Sequence, residues 1–341
     1  MRKTALITGV TGQDGSYLAQ FLLGKKYRVI GTVRKKLNSK TWRLKKLKID
    51  NKIILEKMDL EKIEDINMIF YKYKINEVYN LASQSFVNTS FSTPIKTTNI
   101  TALGVIRILE TIKNINPKIK FYQASSSEMY GNTLSNKQSE KTKFNPQSPY
   151  AISKLFGHYI TKNYRNSYNL YAVSGILFNH ESPLRSNEFV TKKIISGLIN
   201  IINKKKKFIE LGNIYSKRDW GYAKEYVVQM WKMLQLKKAD DFVIATGKTH
   251  SIKELIDIAT KYLNLNVKWV GSGLKLRLIN NENNQTIIKI NKKFFRPADV
   301  NRTKGNIEKA VKILKWKPKI TFKKLVRLII EEELKDFSNS K

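Results

Sequence analysis

Short, continuous apolar runs alternate with longer stretches whose apolar residues recur at helical spacing. Strand-like runs occur at 53–58, 77–82, 119–125 and 170–177, and helical runs lie near 61–74, 97–115 and 148–168. This rhythm predicts an α/β fold: a doubly wound parallel sheet of Rossmann type, covered by helices on both faces. Past about residue 180 the pattern loosens. Helices are expected near 188–203, 219–236, 252–263 and 321–336, with short strands between them such as Phe242-Val243-Ile244-Ala245. Ser251-Ile252-Lys253-Glu254 reads as a capping box opening one of those helices, and the polar stretch 280–285 reads as an exposed loop or hairpin. The expected organisation is a Rossmann-type domain over 1–179, to which 214–245 returns. A smaller mixed α/β lobe is expected from 180–213 and 246–335.

The N-terminus gives the sheet a purpose. Five residues reading as a buried strand run into Gly9-Val10-Thr11-Gly12-Gln13-Asp14-Gly15 and then into the helical run that starts at Ser16. Strand, tight glycine turn and helix N-terminus make a pyrophosphate cradle. Gly9 permits the turn, Gly12 lets backbone approach phosphate, and Gly15 lets helix pack on sheet. The next strand, 27–33, ends where a carboxylate would grip the ribose of NAD; Arg34-Lys35-Lys36 stands there instead. A guanidinium at Arg34 suits the 2′-phosphate of NADP.

Composition narrows the rest. The chain of 341 residues has no Cys, which excludes a thiol nucleophile, a cysteine zinc site and any disulfide, and fits a reducing compartment. His158, His180 and His250 are far apart in sequence, so no histidine-rich metal site is expected. No apolar stretch has membrane-spanning length, and the chain enters a strand almost at once, leaving no room for a signal peptide; a cytoplasmic location is the expectation. The formal charge of +37 comes from 64 Lys and Arg spread over the whole chain without a nucleic-acid motif or an isolated basic arm. It predicts nonspecific polyanion binding at low salt rather than a dedicated nucleic-acid function. The densest run, Asn203-Lys204-Lys205-Lys206-Lys207, reads as a helix C-terminus and loop.

Reaction chemistry gathers at one strand end. Phe121-Tyr122-Gln123-Ala124 runs into Ser125-Ser126-Ser127-Glu128, and Tyr150 and Lys154 are one helical turn apart. An ammonium beside a phenol favours phenolate, as does a bound nicotinamide cation, so Tyr150 can serve as a base. Tyr and Lys four apart would alone be an ordinary helix-face pair. After a dinucleotide cradle and a strand ending in serines, the pair points to redox chemistry.

The cradle, Ser126 and the Tyr150–Lys154 pair resemble an extended short-chain dehydrogenase/reductase acting on nucleotide sugars. The segments 6–18, 121–131, 175–183, 217–221 and 295–300 narrow this to the GDP-mannose 4,6-dehydratase family, a resemblance running from residue 3 to about 333. It implies that Gly9, Val10, Thr11, Gly12, Gln13, Asp14, Gly15 and Arg34 hold NADP. Asp59 and Leu60 would flank the adenine, and Leu81, Ala82, Ser83, Gln84 and Ser85 would line the ribose and nicotinamide side. Lys154, His180 and Arg185 would complete the site. Asn179, Lys193, Leu211, Gly212, Asn213, Arg218 and Arg296 would hold the GDP-sugar. Catalysis would fall to Ser126, Glu128, Tyr150 and Lys154, with Glu128 setting dehydration apart from 4-epimerisation. The resemblance further implies a homo-oligomer, a tetramer, in which 34–44 with Arg34, Trp42 and Arg43 reaches a neighbouring subunit.

Some positions depart from the family pattern. Ser126 stands where some members have Thr, and Phe86 and Leu184 stand where some have His and Arg. Gly305-Asn306 lacks the usual Asp, and 272–290 is poorly matched. Dehydration of a related GDP-sugar such as a GDP-manno-heptose, 4-epimerisation, and a noncatalytic NADP-binding regulator are the alternatives. The intact Ser126, Glu128, Tyr150 and Lys154 set speaks against the last.

Overall fold

A computed structural model describes residues 2–34, 41–295 and 300–339. The chain begins with β1 (Thr4–Thr8), α1 (Gln13–Gly24), β2 (Arg28–Val33), α2 (Trp42–Lys46), β3 (Ile54–Lys57), α3 (Ile63–Lys72) and β4 (Glu77–Asn80). Two short helices, α4 (Val87–Ser92) and α5 (Pro94–Thr98), lead through one π turn at Asn99–Leu103 into α6 (Gly104–Ile115). Then come β5 (Lys120–Ser126), α7 (Pro149–Ser167), β6 (Ala172–Leu177), β7 (Asn179–Glu181), α8 (Val190–Ile202) and β8 (Ile209–Leu211). Next follow β9 (Lys217–Arg218), β10 (Trp220–Tyr222), α9 (Ala223–Leu234), β11 (Phe242–Ile244), β12 (His250–Ser251) and α10 (Ile252–Tyr262). The chain closes with β13 (Val267–Val270), β14 (Arg277–Asn280), β15 (Thr286–Ile290), α11 (Glu308–Leu314) and α12 (Phe322–Ser338).

Seven parallel strands form the central sheet in the order β11-β6-β5-β4-β1-β2-β3. Every residue of β1, β4, β6 and β11 is buried, as a parallel sheet sandwiched between helices requires. One apolar layer joins the sheet to α1 and α9 through Leu18, Leu22, Val227, Met230 and Leu234. The opposite layer joins it to α3 and α6 through Ile66, Ile69, Ile108 and Ile112. Strand order reverses direction between β1 and β4, so a crevice opens beyond the carboxyl ends of those two strands. A second core packs α8, α10 and α12 with the sheet β13-β14-β15-β8.

The expected doubly wound architecture is present, with differences in detail. The helix expected from 219 starts at Ala223, because Trp220–Tyr222 pair in parallel with Asn179–Glu181 as β10 and β7. The helix expected over 97–115 opens earlier, with Pro94 as the first residue of α5, and passes through the π turn where α7 packs against it. The capping box forms in part: Ser251 Oγ accepts the Glu254 N–H at 3.0 Å, while the Glu254 carboxylate turns to His250 Nδ1 at 2.6 Å. The 280–285 stretch is the turn of a hairpin between β14 and β15. The poorly matched segment around it is built into the second sheet through parallel pairing of β15 with β8.

One buried ion pair anchors the far end of α7 to the edge of the central sheet. Both guanidinium nitrogens of Arg165 donate to Asp241 at 2.8 Å, Arg165 also reaches the Ala172 carbonyl, and Asp241 accepts the Ser174 N–H at 3.0 Å. Burial pushes the Asp241 carboxyl up, yet the Arg165 hydrogen bond and charge outweigh it and hold the carboxyl below its ordinary value. Arg165→Ala leaves this carboxylate buried without its counter-ion and should cost about 3–5 kcal/mol in urea unfolding at neutral pH. A carboxyl with a depressed folded value contributes stability above its unfolded pKa and loses it as pH falls. The gap between wild type and variant should therefore narrow below about pH 4.

Candidate active site

The crevice begins where β1 stops. Thr8 Oγ1 donates to Asn80 Oδ1 at 2.7 Å and accepts the Leu81 and Ala82 N–H groups at 3.0 Å, and Asn80 passes the network to Gln123 on β5 at 2.8 Å. Gly9 follows with φ +68°, in the left-handed region, and a Cβ there would lie 3.0 Å from the Ala82 backbone. Gly15 lies against the same turn, where a Cβ would come 2.4 Å from the Gly9 carbonyl oxygen. Gly12 caps α1 with an extended backbone and no side chain over the helix end, so its first amides face the crevice.

Side chains from distant segments fasten this turn. Gln13 Nε2 donates to the His180 carbonyl at 3.1 Å, and Ser182 Oγ donates to Gln13 Oε1 at 2.7 Å. His180 Nε2 faces Asp14 Oδ2 at 2.7 Å, its Nδ1 faces the Phe178 carbonyl at 2.7 Å, and its ring stacks on Tyr226. Arg43 of α2 donates to the Thr11 carbonyl (3.1 Å), the Leu184 carbonyl (2.7 Å) and Ser186 Oγ (2.8 Å). Arg43 is therefore buried within its own chain and is not available to the neighbouring-subunit contact expected of 34–44. Trp42 is exposed, Arg34 is exposed at the end of β2, and Lys35 and Lys36 lie outside the described residues.

The reaction end is built from β5 and α7. Ser148 caps α7 by accepting the Ala151 N–H at 3.1 Å, and Pro149 takes the first helical position. Tyr150 and Lys154 are thereby set in the first turns, both buried. Ser126 Oγ accepts the Glu128 N–H at 3.2 Å and is hydrogen-bonded to the Tyr150 phenol. That hydrogen bond favours the phenolate, as a hydroxyl donating to the phenol oxygen does.

The depressed phenol expected from Lys154 is not found in the chain alone. Lys154 Nζ donates to the Ala124 carbonyl at 2.8 Å, and burial lowers its pKa to about 8. Burial raises Tyr150 to about 12 against the opposing Ser126 hydrogen bond. Behind this wall, Ser125 Oγ and His158 Nδ1 are 3.2 Å apart, and burial disfavours the charged form of His158.

These parts line one cleft of about 1060 Å³. Gly9, Thr11, Gly12, Gln13, Asp14, Gly15, Arg34, Asp59, Leu60 and all of residues 81–85 line it. So do Ser126, Glu128, Tyr150, Lys154, Asn179, His180, Arg185, Lys193, Leu211, Gly212, Asn213 and Arg218. Val10 does not: its side chain is buried in the core, under Gly31. Arg296 lies outside the described residues. Of the departures noted above, Phe86 lines the cleft and meets Phe189 edge to face at 5.8 Å, whereas Leu184 is buried away from it.

On the second lobe's side, Lys193 Nζ donates to the Glu210 carbonyl at 2.8 Å and lies 3.9 Å from the centre of the Phe294 ring. Burial lowers its pKa, as does nearby Lys206. Asp219 holds the strand pair bearing Arg218 by accepting from the Thr246 hydroxyl and the amides of Thr246, Gly247 and Gly305. Phe189 and Phe294 were not singled out from sequence, and Arg43 was singled out only for a neighbouring subunit; the contacts they make here join segments far apart in the chain, and no local pattern marks them. Among the described residues, no group of three His, Cys, Asp or Glu side chains could hold a metal ion, and no helix is long and apolar enough to cross a membrane.

Two buried acceptors on the cleft wall, Gln84 Oε1 and Asn179 Oδ1, have no hydrogen-bond partner among the described residues. They suit hydroxyl or amide donors of a ligand. With the glycine cradle, they fit a nucleotide better than an apolar molecule.

A family model described as GDP-mannose 4,6 dehydratase matches residues 6–329. Curated relatives of that name include one from Drosophila melanogaster, 43% identical with 97% of this chain and 86% of the relative covered. Another, from Arabidopsis thaliana, is 44% identical with 98% and 90% covered, and one from Vibrio cholerae is 42% identical with 98% and 95% covered. Among solved structures, a dTDP-glucose 4,6-dehydratase from Streptomyces venezuelae superposes with a TM-score of 0.83 at 17% identity, 98% of each chain being covered. A UDP-glucose 4-epimerase from Thermotoga maritima gives 0.82 at 20% identity, with 98% of this chain and 99% of that one covered. At such identities these two share the fold.

Arg43 supplies a direct check on how the cradle is fastened. Arg43→Ala removes three hydrogen bonds from a buried cation and leaves the Thr11 and Leu184 carbonyls short of a donor. Urea unfolding should show a loss of about 2–4 kcal/mol. Arg43→Lys, which cannot reach three acceptors with a planar fork, should recover less than half of it.

Proposed function

The chain belongs to the GDP-mannose 4,6-dehydratase family, and from that premise we propose that it converts GDP-mannose to GDP-4-keto-6-deoxymannose with NADP as resident cofactor. One observation carries the reading: Ser126, Glu128, Tyr150 and Lys154 line the same cleft as the glycine cradle. The cofactor would lie along residues 9–15, Arg34, Asp59, Leu60 and 81–85, and supply the hydride acceptor and donor together with a positively charged ring. The GDP-sugar would be held by Asn179, Lys193, Leu211, Gly212, Asn213, Arg218 and Arg296, the guanidinium forks suiting its diphosphate.

The protein's own part is proton management. Tyr150, as a phenolate to which the Ser126 hydroxyl donates, takes the proton of the sugar 4-hydroxyl. Oxidation at C4 gives a ketone that acidifies the C5 proton. Glu128 takes that proton and passes it to the departing C6 hydroxyl, which leaves as water. Hydride return to C6, with protonation of C5 by the proton that Tyr150 took from the 4-hydroxyl, completes the 6-deoxy product. Because burial, even against the Ser126 hydrogen bond, leaves Tyr150 raised to about 12, the positive charge of the cofactor would be what makes the phenol a usable base. A 4-epimerase has no elimination step and no task for Glu128. The proposal includes the division of the chain given above, a cytoplasmic location, and a homotetramer that does not use Arg43. A monomeric mass in light scattering with cofactor present would sink the tetramer alone.

Incubation of the purified protein with GDP-mannose should yield a 4-keto product. Tyr150→Phe should abolish both product and reduced cofactor. Glu128→Gln should keep cofactor and GDP-sugar binding, lower water loss by about 10²–10⁴-fold, and leave oxidation at C4 detectable as near-ultraviolet absorbance of reduced cofactor. Near wild-type dehydration by Glu128→Gln would remove Glu128 from this role.

Cofactor choice is checked separately. NADP⁺ should bind more tightly than NAD⁺, and Arg34→Asp should erode or invert that order by about 1–3 kcal/mol. Equal wild-type affinities would count against Arg34 as the selector.

A further inference from the structure

His180 and Asp14 sit where the cofactor's diphosphate is expected, and their geometry gives each a narrower task than contact with it. Asp14 is the second residue of α1, two positions after Gly12, which caps the helix. A free carboxylate there would compete with phosphate for the positive end of the helix and repel it. The His180 ring has both nitrogens 2.7 Å from oxygen acceptors, the Phe178 carbonyl at Nδ1 and Asp14 Oδ2 at Nε2. A carbonyl and a carboxylate only accept, so both ring nitrogens carry protons and the ring is an imidazolium. Its face lies on the Tyr226 ring with centroids 4.8 Å apart, which also favours a cation. With both N–H groups committed, His180 has no donor left for a ligand.

We propose that His180 acts on cofactor binding through Asp14: it is a positioning residue whose charge cancels a carboxylate otherwise presented to the diphosphate. The inference rests on the cofactor reading above. Burial opposes charge on both groups, yet His180 is raised and Asp14 lowered from their ordinary values, each chiefly by the other. Arg185 also faces both groups. Arg43 and Lys154 lie within reach of the Asp14 charge.

The test is a double-variant cycle read as the NADP⁺ dissociation constant by protein fluorescence, with circular dichroism melts to confirm folding. His180→Gln should weaken NADP⁺ roughly tenfold or more, since it leaves an uncompensated charge beside the ligand. Asp14→Asn alone should weaken NADP⁺ less than His180→Gln does, and the double variant should bind no worse than Asp14→Asn, because without the carboxylate the imidazolium has nothing to cancel. A double variant as weak as His180→Gln alone would show His180 acting directly and overturn the inference. So would unchanged binding by His180→Gln. If His180→Gln does not fold, Asp14→Asn still decides, since a tenfold loss there would mean that the carboxylate itself helps hold the cofactor. A wild-type protein that binds neither NADP⁺ nor NAD⁺ overturns the cofactor reading and this inference with it. Tight wild-type binding with an unrescued double variant overturns this inference alone.

Discussion

A parallel sheet that splits its strand order must leave backbone amides at the seam satisfied without closing it, and in this protein one hydroxyl does so. Thr8 Oγ1 accepts two amides from the segment after β4 and donates to Asn80, so the ends of β1 and β4 are held together while the space above them stays open. Gly9 turns away in the left-handed region with the Ala82 backbone 3.0 Å from where a Cβ would stand, so the junction admits no side chain there. The cradle, the 81–85 wall and the network reaching Gln123 all depend on that junction. A hydroxyl serves here where a carboxylate would bring unwanted charge and an apolar side chain would leave two amides unpaired.

Around this junction the chain spends its cations selectively. Most of its Lys and Arg are solvated, but Arg43 and Arg165 are turned inward, each satisfying several acceptors at once. Planar guanidinium forks suit such buried positions better than ammonium groups, which lose more hydration and offer less directed geometry. Two ammonium groups, Lys154 and Lys192, are buried as well; Lys154 has its pKa brought to about 8 and is held on the Ala124 carbonyl. Arg43 and Arg165 anchor elements, whereas Lys154 sits in the cleft.

Much of this was legible in the sequence because it is local. Strand, glycine turn and helix are consecutive, Tyr150 and Lys154 share a helix face, and Ser251 caps its own helix. The central strands could be read because burial on both faces writes a continuous apolar run. What could not be read was short or remote. β7, β9, β10 and β12 have two or three residues each, too few for any periodicity, and exist through pairing with distant partners. The three acceptors of Arg43 lie 32 to 143 positions away. The phenol was misjudged for a related reason: the spacing of Tyr150 and Lys154 was visible, but their burial, which sets both pKa values, is a property of the whole fold.

The hairpin of β14 and β15 has a meaning beyond its place in the second sheet. It falls in the stretch 272–290 that reads as poorly matched to the family, yet β15 runs in register beside β8, pairing Ile290 with Leu211 at the cleft. Main-chain ladders are blind to the side chains that flank them. Substitutions can therefore accumulate on the hairpin's outer face and in its turn, while the strand it supports keeps its place at the ligand. The fold thus has a region where heredity can experiment cheaply, insulated from the chemistry it helps to support.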